Sequence, residues 1–483
     1  MKIKVGVGQI SMKDIASLCG GSLLGDDLYI ESFARAVCTD SREATEADAL
    51  FVVTVGERVD AHRYMRSAWD SGCRLFLCQR IPEELEGCQY AAIVAEDTVT
   101  ALGKLAEGYT ARRGVPAVAI TGSVGKTTTK EFVSAVLAEG FAIHKTVGNH
   151  NSTIGLPMSM LEADDKSQCS VVEMGMSGLG EIDFMSRIAR PRVACITNIG
   201  SSHLELLGTR ENICRAKLEI ANGMPEDGLL ILNGDEPLLR EMAPSSVRIQ
   251  YVSLENSSAD YYAFRIRFEA SGTVFDLSTK SGIYRDLYIP VIGRQFVWAA
   301  TFAAAVGRSM GLCESTIRRG LVNFKNAAMR QNITEQDGIT FIEDCYNASP
   351  ESMRAAIDVM QTLAEARGAR MCAVLGDMRE LGENSEQFHR EIGAYYAEKG
   401  GKLLFTVGPL AKNMAVAAKD TLGDACVFSW DSYEDDACMR DIGECVCRSL
   451  EAGDIVLVKA SRAIGAERVL AYIKEKLAEG KVQ

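Results

Sequence analysis

No two of the fifteen cysteines are spaced C-x-x-C, and only Cys445 and Cys447 come close to one another. The rest stand singly in apolar runs, as Cys73, Cys78, Cys169, Cys195 and Cys372 do. That argues against a zinc ribbon or a disulfide framework and for reduced thiols. Positive charge is also short: 52 Lys and Arg against 65 Asp and Glu leave a formal charge of −13. Nucleic acid and anionic membrane are poor partners for such a chain, although a local basic pocket for a small anion remains open to it. No stretch approaches the ~20 apolar residues of a membrane span. The first residues lack the apolar core and small-residue cleavage site of a secretory signal. Repeats and low-complexity segments are missing too. These absences leave a soluble cytoplasmic enzyme as the expectation, and 483 residues give room for about three domains of ~150 residues each.

What is present is concentrated in one short segment. The apolar run Val115 to Ile120 leads into Thr121-Gly122-Ser123-Val124-Gly125-Lys126-Thr127-Thr128, and a helical pattern follows through Phe132, Val133, Val136 and Leu137. Strand, glycine loop and helix in that order bring backbone N–H groups and a helix N-terminus around phosphate oxygens. Lys126 can then neutralise β- and γ-phosphates, and Thr127 can offer its hydroxyl to Mg²⁺. Ile120 occupies the position where the longer G-x-x-x-x-G-K-[ST] pattern has its first glycine.

Around this loop the chain alternates strands and helices. The patterning predicts a helix from Met12 to Leu18, strands near Ala49–Val53 and Arg74–Cys78, and a helix through Leu102–Arg112. Arg112-Arg113-Gly114-Val115-Pro116 reads as a hinge. Strands are expected to end at Thr121, Glu173 and Asn198, and Tyr261 to Ile292 alternates with period two, as an antiparallel meander does. An alanine-rich helix is expected over Ala299–Met310. From Met329 onward, strands at Gly338–Glu343, Met371–Leu375, Lys402–Val407, Cys426–Ser429 and Asp454–Val458 alternate with helices, which predicts a parallel doubly wound sheet. The expected fold is α/β in three domains, over 1–113, 114–328 and 329–483.

Three further polar residues stand at strand ends or on a helix: Glu173 after Cys169-Ser-Val-Val, His203 after Ala194-Cys-Ile-Thr-Asn-Ile-Gly-Ser-Ser, and Lys217 within Asn212-Ile-Cys-Arg-Ala-Lys-Leu-Glu-Ile. A carboxylate at a strand end of a nucleotide fold is well placed to hold Mg²⁺. Alone, each has an ordinary structural explanation: a loop carboxylate, a hydrogen-bonded histidine, a solvated helix lysine.

In combination they resemble the Mur ligase family over nearly the whole chain. Thr121-Gly-Ser-Val-Gly-Lys-Thr127 is similar to that family's shortened phosphate loop, which accounts for Ile120. Gly148-Asn149-His-Asn151-Ser-Thr-Ile-Gly-Leu-Pro157, Glu173-Met-Gly, Thr197-Asn-Ile-Gly-Ser-Ser-His203 and Ala216-Lys-Leu-Glu219 follow in family order. Glu173 to Ile182, Asp344-Cys-Tyr-Asn347-Ala-Ser-Pro-Glu-Ser-Met353 and Leu375-Gly-Asp-Met-Arg-Glu-Leu-Gly-Glu383 are similar to the branch that joins D-Ala-D-Ala to UDP-N-acetylmuramoyl-tripeptide. Thr39-Asp-Ser41-Arg42, Phe51 and Gly56-Glu57-Arg58-Val-Asp60 resemble its uridine-nucleotide-binding segment.

The resemblance implies an amide ligase of peptidoglycan-precursor synthesis that uses ATP and Mg²⁺, passes through an acyl phosphate, and works as a monomer. It implies catalytic roles for Lys126, Glu173, His203, Lys217 and Asn347. ATP would be held by residues 122 to 128 with Asn149, Arg330 and Asp344. Thr127, Glu173, His203 and Lys217, the last as a CO₂-derived carbamate, would serve the metal. Ser41, Arg42, Asn151, Lys459, Ser461 and Arg462 would meet the substrates.

The chain departs from the pattern at Gly293-Arg-Gln-Phe-Val-Trp-Ala-Ala300, where Ala299 replaces an asparagine expected to read adenine, and at Ser152 and Ala61. A lost hydrogen bond of ~1 kcal/mol predicts weaker ATP binding, with Phe296 or Trp298 packing on the base in compensation. A paralogue using another amine or acceptor, and a non-catalytic nucleotide-binding module, stay open alternatives.

Overall fold

The computed structural model describes residues 1–56 and 59–480; Glu57 and Arg58 of the uridine-nucleotide-like segment lie outside the described residues. Three main sheets organise the chain. The first has six strands, with Lys2–Lys4 and Ser22–Gly25 antiparallel at its two edges and Ala36–Cys38, Ala49–Val52, Leu75–Cys78 and Ala91–Val94 parallel between them. The expected helices appear as Met12–Cys19 and Thr98–Arg113. The second of these starts on Asp97, whose side chain caps Thr100 N, and stops at Gly114, whose φ of 63° closes the helix in the left-handed region.

The second sheet has nine strands and holds the phosphate-loop strand, Ala117–Thr121, between Cys169–Glu173 and Val193–Ile196. All three are buried along their length, which is why they read as unbroken apolar runs. From Ala117–Thr121 the chain first winds to one side, through Ile143–Lys145 and Cys169–Glu173, and then crosses to Val193–Ile196 on the other. That reversal opens the crevice in which ligands of such sheets sit. The meander (Tyr261–Glu269, Gly272–Thr279, Gly282–Ile289) is antiparallel, yet it extends this same sheet instead of standing apart, because Val252 and Ser253 pair with Tyr261 and Tyr262. The alanine-rich helix begins five residues before its expected start, at Arg294, and runs to Ser309.

The third sheet carries the expected parallel strands, in the order Ile339–Asp344, Ile455–Lys459, Met371–Gly376, Leu403–Val407, Val427–Trp430. An unforeseen antiparallel strand, Asn332–Gln336, lies at its edge; exposed and intermediate residues alternate along it, so it lacks an apolar run.

The cores are not divided three ways. One continuous apolar cluster joins Ile3, Leu50 and Leu102 of the first sheet's layer to Ala119, Met185 and Leu230 of the second's. Tyr109 adds polar stitches across the same seam: its hydroxyl donates to Ala163 O at 2.8 Å and accepts from Val7 N at 3.1 Å. The third sheet has its own two clusters, which borrow only Ile292 from the preceding segment.

Candidate active site

The phosphate loop is held open by its neighbours. Val124 N donates to Asn198 Oδ1 at 2.8 Å, Gly200 N donates to Ser123 Oγ at 2.9 Å, and Thr197 Oγ1 donates to Val124 O at 2.6 Å. Gly122 needs to be glycine twice over: its φ is 148°, and a Cβ would fall 1.9 Å from Thr197 Oγ1. Gly125, at φ 82°, turns the chain into the helix Lys126–Ala138. Lys126 folds back on the loop and donates to Gly122 O at 2.8 Å. Burial pushes its ammonium pKa down, the Glu173 carboxylate pulls it up, and the Arg330 guanidinium adds a downward push.

Glu173 is 3% exposed at its strand end. Its Oε1 accepts from Asn151 Nδ2 at 2.8 Å and its N–H donates to Thr146 Oγ1 at 3.1 Å, while Oε2 is buried with no partner among the described residues. An orphaned carboxylate oxygen beside a phosphate loop fits a divalent cation. No group of three or more His, Cys, Asp or Glu residues among the described ones could hold a metal alone. Mg²⁺ does not require one, since it binds through one or two carboxylates, substrate phosphates and water.

His203 takes a left-handed backbone, φ 64°. Its Nδ1 stands 2.6 Å from Glu380 Oε2, a contact close in distance but outside hydrogen-bond geometry. Contact with His203 holds the Glu380 carboxyl below its ordinary range against the opposing effect of burial. Lys217 is 1% exposed, on the helix Arg210–Leu218. Burial first, then the charge of Lys126, pushes its amine well below an ordinary lysine. Both effects favour the neutral amine, the form able to attack CO₂.

A cleft of about 350 Å³ gathers Lys126, Thr127, Glu173 and His203 from the second sheet's side with Arg330, Asp344 and Asn347 from the third's. Arg330 lies 4.0 Å over the Tyr346 ring and donates to Thr127 Oγ1 at 3.4 Å. Ser123, Val124, Gly125, Thr128 and Asn151 also border the cleft, and Lys459 forms part of its floor. Lys459 is buried: its Nζ meets Asp344 Oδ2 at 2.7 Å and Asn347 O at 2.9 Å, from a strand in register with that of Asp344.

Other expected residues do not gather there. Asn149 is exposed and borders no part of the cleft. Ser41 and Arg42 lie on the first sheet's layer, where Asp40 takes the guanidinium of Arg42 at 2.6 Å. Ser461 is buried and accepts from Arg379 N at 3.0 Å; Arg462 is exposed and pairs with Glu467 at 3.0 Å. At the departing segment, Phe296 and Gln295 border the cleft. Ala299 sinks into the core and Trp298 packs against that core without bordering the cleft.

The segment 120–307 matches the model of the Mur ligase middle domain, and 329–462 that of the Mur ligase glutamate ligase domain. The UDP-N-acetylmuramoyl-tripeptide–D-alanyl-D-alanine ligase of Bacillus subtilis is 38% identical over 462 residues, 95% of this chain and 97% of its own. The chain belongs to the Mur ligase family. Crystal structure I of MurF from Acinetobacter baumannii superposes with a TM-score of 0.87 at 29% identity, covering 98% of this chain and 100% of that one. The MurF ligase of Thermotoga maritima in complex with ADP does so at 0.80 and 27%, covering 92% and 98%. The multi-domain α/β architecture expected from the sequence is the one these Mur ligases share.

Two Mur ligase residues in this cleft's surroundings were not anticipated from sequence. Glu351, at the start of the helix Pro350–Arg367, accepts from Ser201 N at 2.9 Å and Ser201 Oγ at 3.0 Å. Glu380 meets His203. Both reach from the third sheet's side onto loops beside the phosphate loop. Each lies inside a stretch that resembles the family, but nothing in the local pattern announces a partner 150 or more residues away.

Proposed function

We propose that the chain is an ATP-dependent ligase that joins D-Ala-D-Ala to UDP-N-acetylmuramoyl-tripeptide, releasing ADP and phosphate in peptidoglycan-precursor synthesis. The observation that carries this is the match along nearly the full length of both chains, at 38% identity, to the Bacillus subtilis ligase of that name.

In this reading the tripeptide carboxylate attacks the γ-phosphorus of ATP. The bond from that phosphorus to the bridging oxygen breaks, and ADP leaves with the electron pair. The dipeptide amine then attacks the acyl carbon, sheds a proton, and phosphate departs. The first step brings two anions together in a cleft partly shut off from water, where their repulsion is the main obstacle. Lys126 and Arg330, which both border the cleft, would reduce it. The backbone N–H groups of Ser123 to Thr128 and the N-terminus of the helix Lys126–Ala138 hold the phosphate oxygens.

Glu173 Oε2 and the Thr127 hydroxyl would hold one Mg²⁺, and His203 with a carbamylated Lys217 a second. When bound, these ions would screen the phosphates and the carboxylate. Glu380 fixes the imidazole of His203. Phe296 packs on the adenine in place of the missing asparagine, and Asn347, exposed at the cleft, faces the reacting groups. Asp344, paired to Lys459, orders the loop that carries Asn347. Asn151 acts through Glu173 and not on substrate directly. Ser41 and Arg42 serve the uridine end. Of Lys459, Ser461 and Arg462, the last is exposed and would exchange Glu467 for the dipeptide carboxylate, while Lys459 and Ser461 support the loop. Domain limits of 1–113, 114–328 and 329–483 are supported by how the three sheets partition their strands.

Phosphate release from ATP, measured with each substrate alone and with both, tests the reading. Sustained release is expected only with tripeptide and D-Ala-D-Ala together, and release indifferent to the dipeptide would refute it. Running the assay with tripeptides ending in lysine and in diaminopimelate identifies the acceptor.

A further inference from the structure

A second cavity, of about 290 Å³, opens at the end of the nine-stranded sheet opposite the phosphate loop. It is bounded by Arg192 and Val193, Leu229, and Arg248 and Gln250 at the starts of three strands, by the turn Lys280-Ser281, and by Arg308 in the last turn of the helix Arg294–Ser309. We propose that this cavity binds a small phosphorylated ligand carrying a hydroxyl donor, either monohydrogen phosphate or a sugar phosphate.

The charges around this cavity are unevenly matched. On a chain of net charge −13, four cationic side chains surround this one hollow. Arg192 is paired with Asp227 at 3.1 Å and Lys280 with Asp260 at 2.6 Å. Arg308 donates only to Ser281 Oγ at 3.1 Å and to Leu312 O at 3.3 Å, so its charge is unmatched by any carboxylate among the described residues. The exposed Arg248 side chain, at the start of its strand, makes no hydrogen bond or ion pair among the described residues. Two uncompensated guanidiniums facing one cavity suit a phosphoryl group, which accepts their parallel N–H donors. The carbonyl end of the helix opposes an anion with about half a charge, less than the two guanidiniums supply.

Gln250 adds a second requirement. It lines the cavity, and its Oε1, buried with no partner among the described residues, would take a donor once the side chain turns toward a bound ligand. A P–OH or a sugar hydroxyl supplies one; sulfate does not. The volume lies at the lower end of small-ligand sites. The helix Arg294–Ser309 has Phe296 at the nucleotide cleft and Arg308 here, and 16 residues separate its ends by ~24 Å. The two sites can therefore be filled together.

Calorimetric titration of the full chain, with the nucleotide cleft saturated by ADP and Mg²⁺, tests this. Inorganic phosphate and ribose 5-phosphate are the probes, with sulfate as control. At least one phosphorylated probe should bind in a single site and more tightly than sulfate. Arg248→Gln and Arg308→Gln should each weaken it by about tenfold, the loss of one charge-assisted contact. Arg308→Lys, which keeps the charge, should retain most of the affinity and shows that the turn still folds. Gln250→Leu should narrow the margin over sulfate. Binding that survives both arginine substitutions, binding abolished by Lys126→Ala, or no binding of either probe would overturn the proposal.

Discussion

Replacing Glu351 by alanine should uncouple the third sheet's domain from the phosphate loop without unfolding either. Glu351 Oε1 accepts two hydrogen bonds from Ser201, at 2.9 and 3.0 Å, and the adjoining Gly200 N–H supports Ser123 of the loop. Hydrogen bonds to a charged acceptor contribute ~1.5–3 kcal/mol each. The sum is offset by Glu351 Oε2, which is buried with no partner among the described residues and costs ~1–3 kcal/mol in lost hydration. A net ~2 kcal/mol of docking energy remains, which corresponds to about a 30-fold loss of kcat/KM at ~1.4 kcal/mol per decade. Glu351→Gln keeps one acceptor oxygen without charge and should lose only about fivefold. The helix should survive both changes, because the reciprocal cap between Ser349 and Ser352 is untouched. The assay pairs steady-state phosphate release with small-angle scattering in the presence of ADP, and thermal melting serves as the control. If Glu351→Ala keeps kcat/KM within about twofold of the parent while its scattering profile is unchanged, the contact does not couple the domains and the reasoning is wrong.

Lys217→Ala should lower phosphate release by about a hundredfold or more, as removal of a group acting on the reacting centre does. Short carboxylates should restore part of it, and a rescue-free variant with full activity would exclude the carbamate. Phe296→Ala should raise KM for ATP by up to about tenfold with kcat little changed, since an aromatic contact contributes ~0.5–1.5 kcal/mol; initial rates across ATP concentrations decide it. Hydrogen bonds from Ser315 and Thr316 lower the Cys313 thiol to about 6, whereas burial pushes thiols such as Cys169 up to about 12. The thiolate forms above that lower value, so alkylation of Cys313 should rise through pH 6 and level off by neutrality while the buried cysteines stay unmodified. Peptide mapping by mass spectrometry reads this, and labelling of Cys313 that first rises above pH 8 would contradict it.

The phosphate loop was legible because its signal is local: an apolar strand, two glycines with positive φ and a helix within a score of residues. Glu173 was legible for the same reason, at the end of a buried strand. Asp344 and Lys459 were each visible as strand-end residues, but their ion pair depends on strand register across 115 residues of chain. The expectation that Lys459 meets substrate carries no sign of that burial. Asn149 stands in a stretch that resembles the family, yet its exposure depends on how the loop before Gly155 folds over, which no periodicity records. Glu351 and Glu380 carry ordinary helix-start and loop identities, and their importance exists only once the third sheet docks on the second. The Ala299 departure reads differently in three dimensions: the position faces the core, and Phe296, three residues earlier on the same helix, holds the cleft wall instead.

The shared apolar cluster beneath the first two sheets bears on how such chains can be recombined. Residues as far apart as Ile3 and Leu230 belong to one core, whereas the third sheet's side chains pack almost wholly among themselves. A chimaera that exchanges the segment beginning at 329 for that of another family member leaves each interior whole and has to match only a docking surface. Exchange of the first sheet would cut through a packed interior and require dozens of side chains to be redesigned at once. On the function proposed above, amine preference is thus the more portable property of this molecule, and recognition of the nucleotide-linked acceptor the more deeply rooted one.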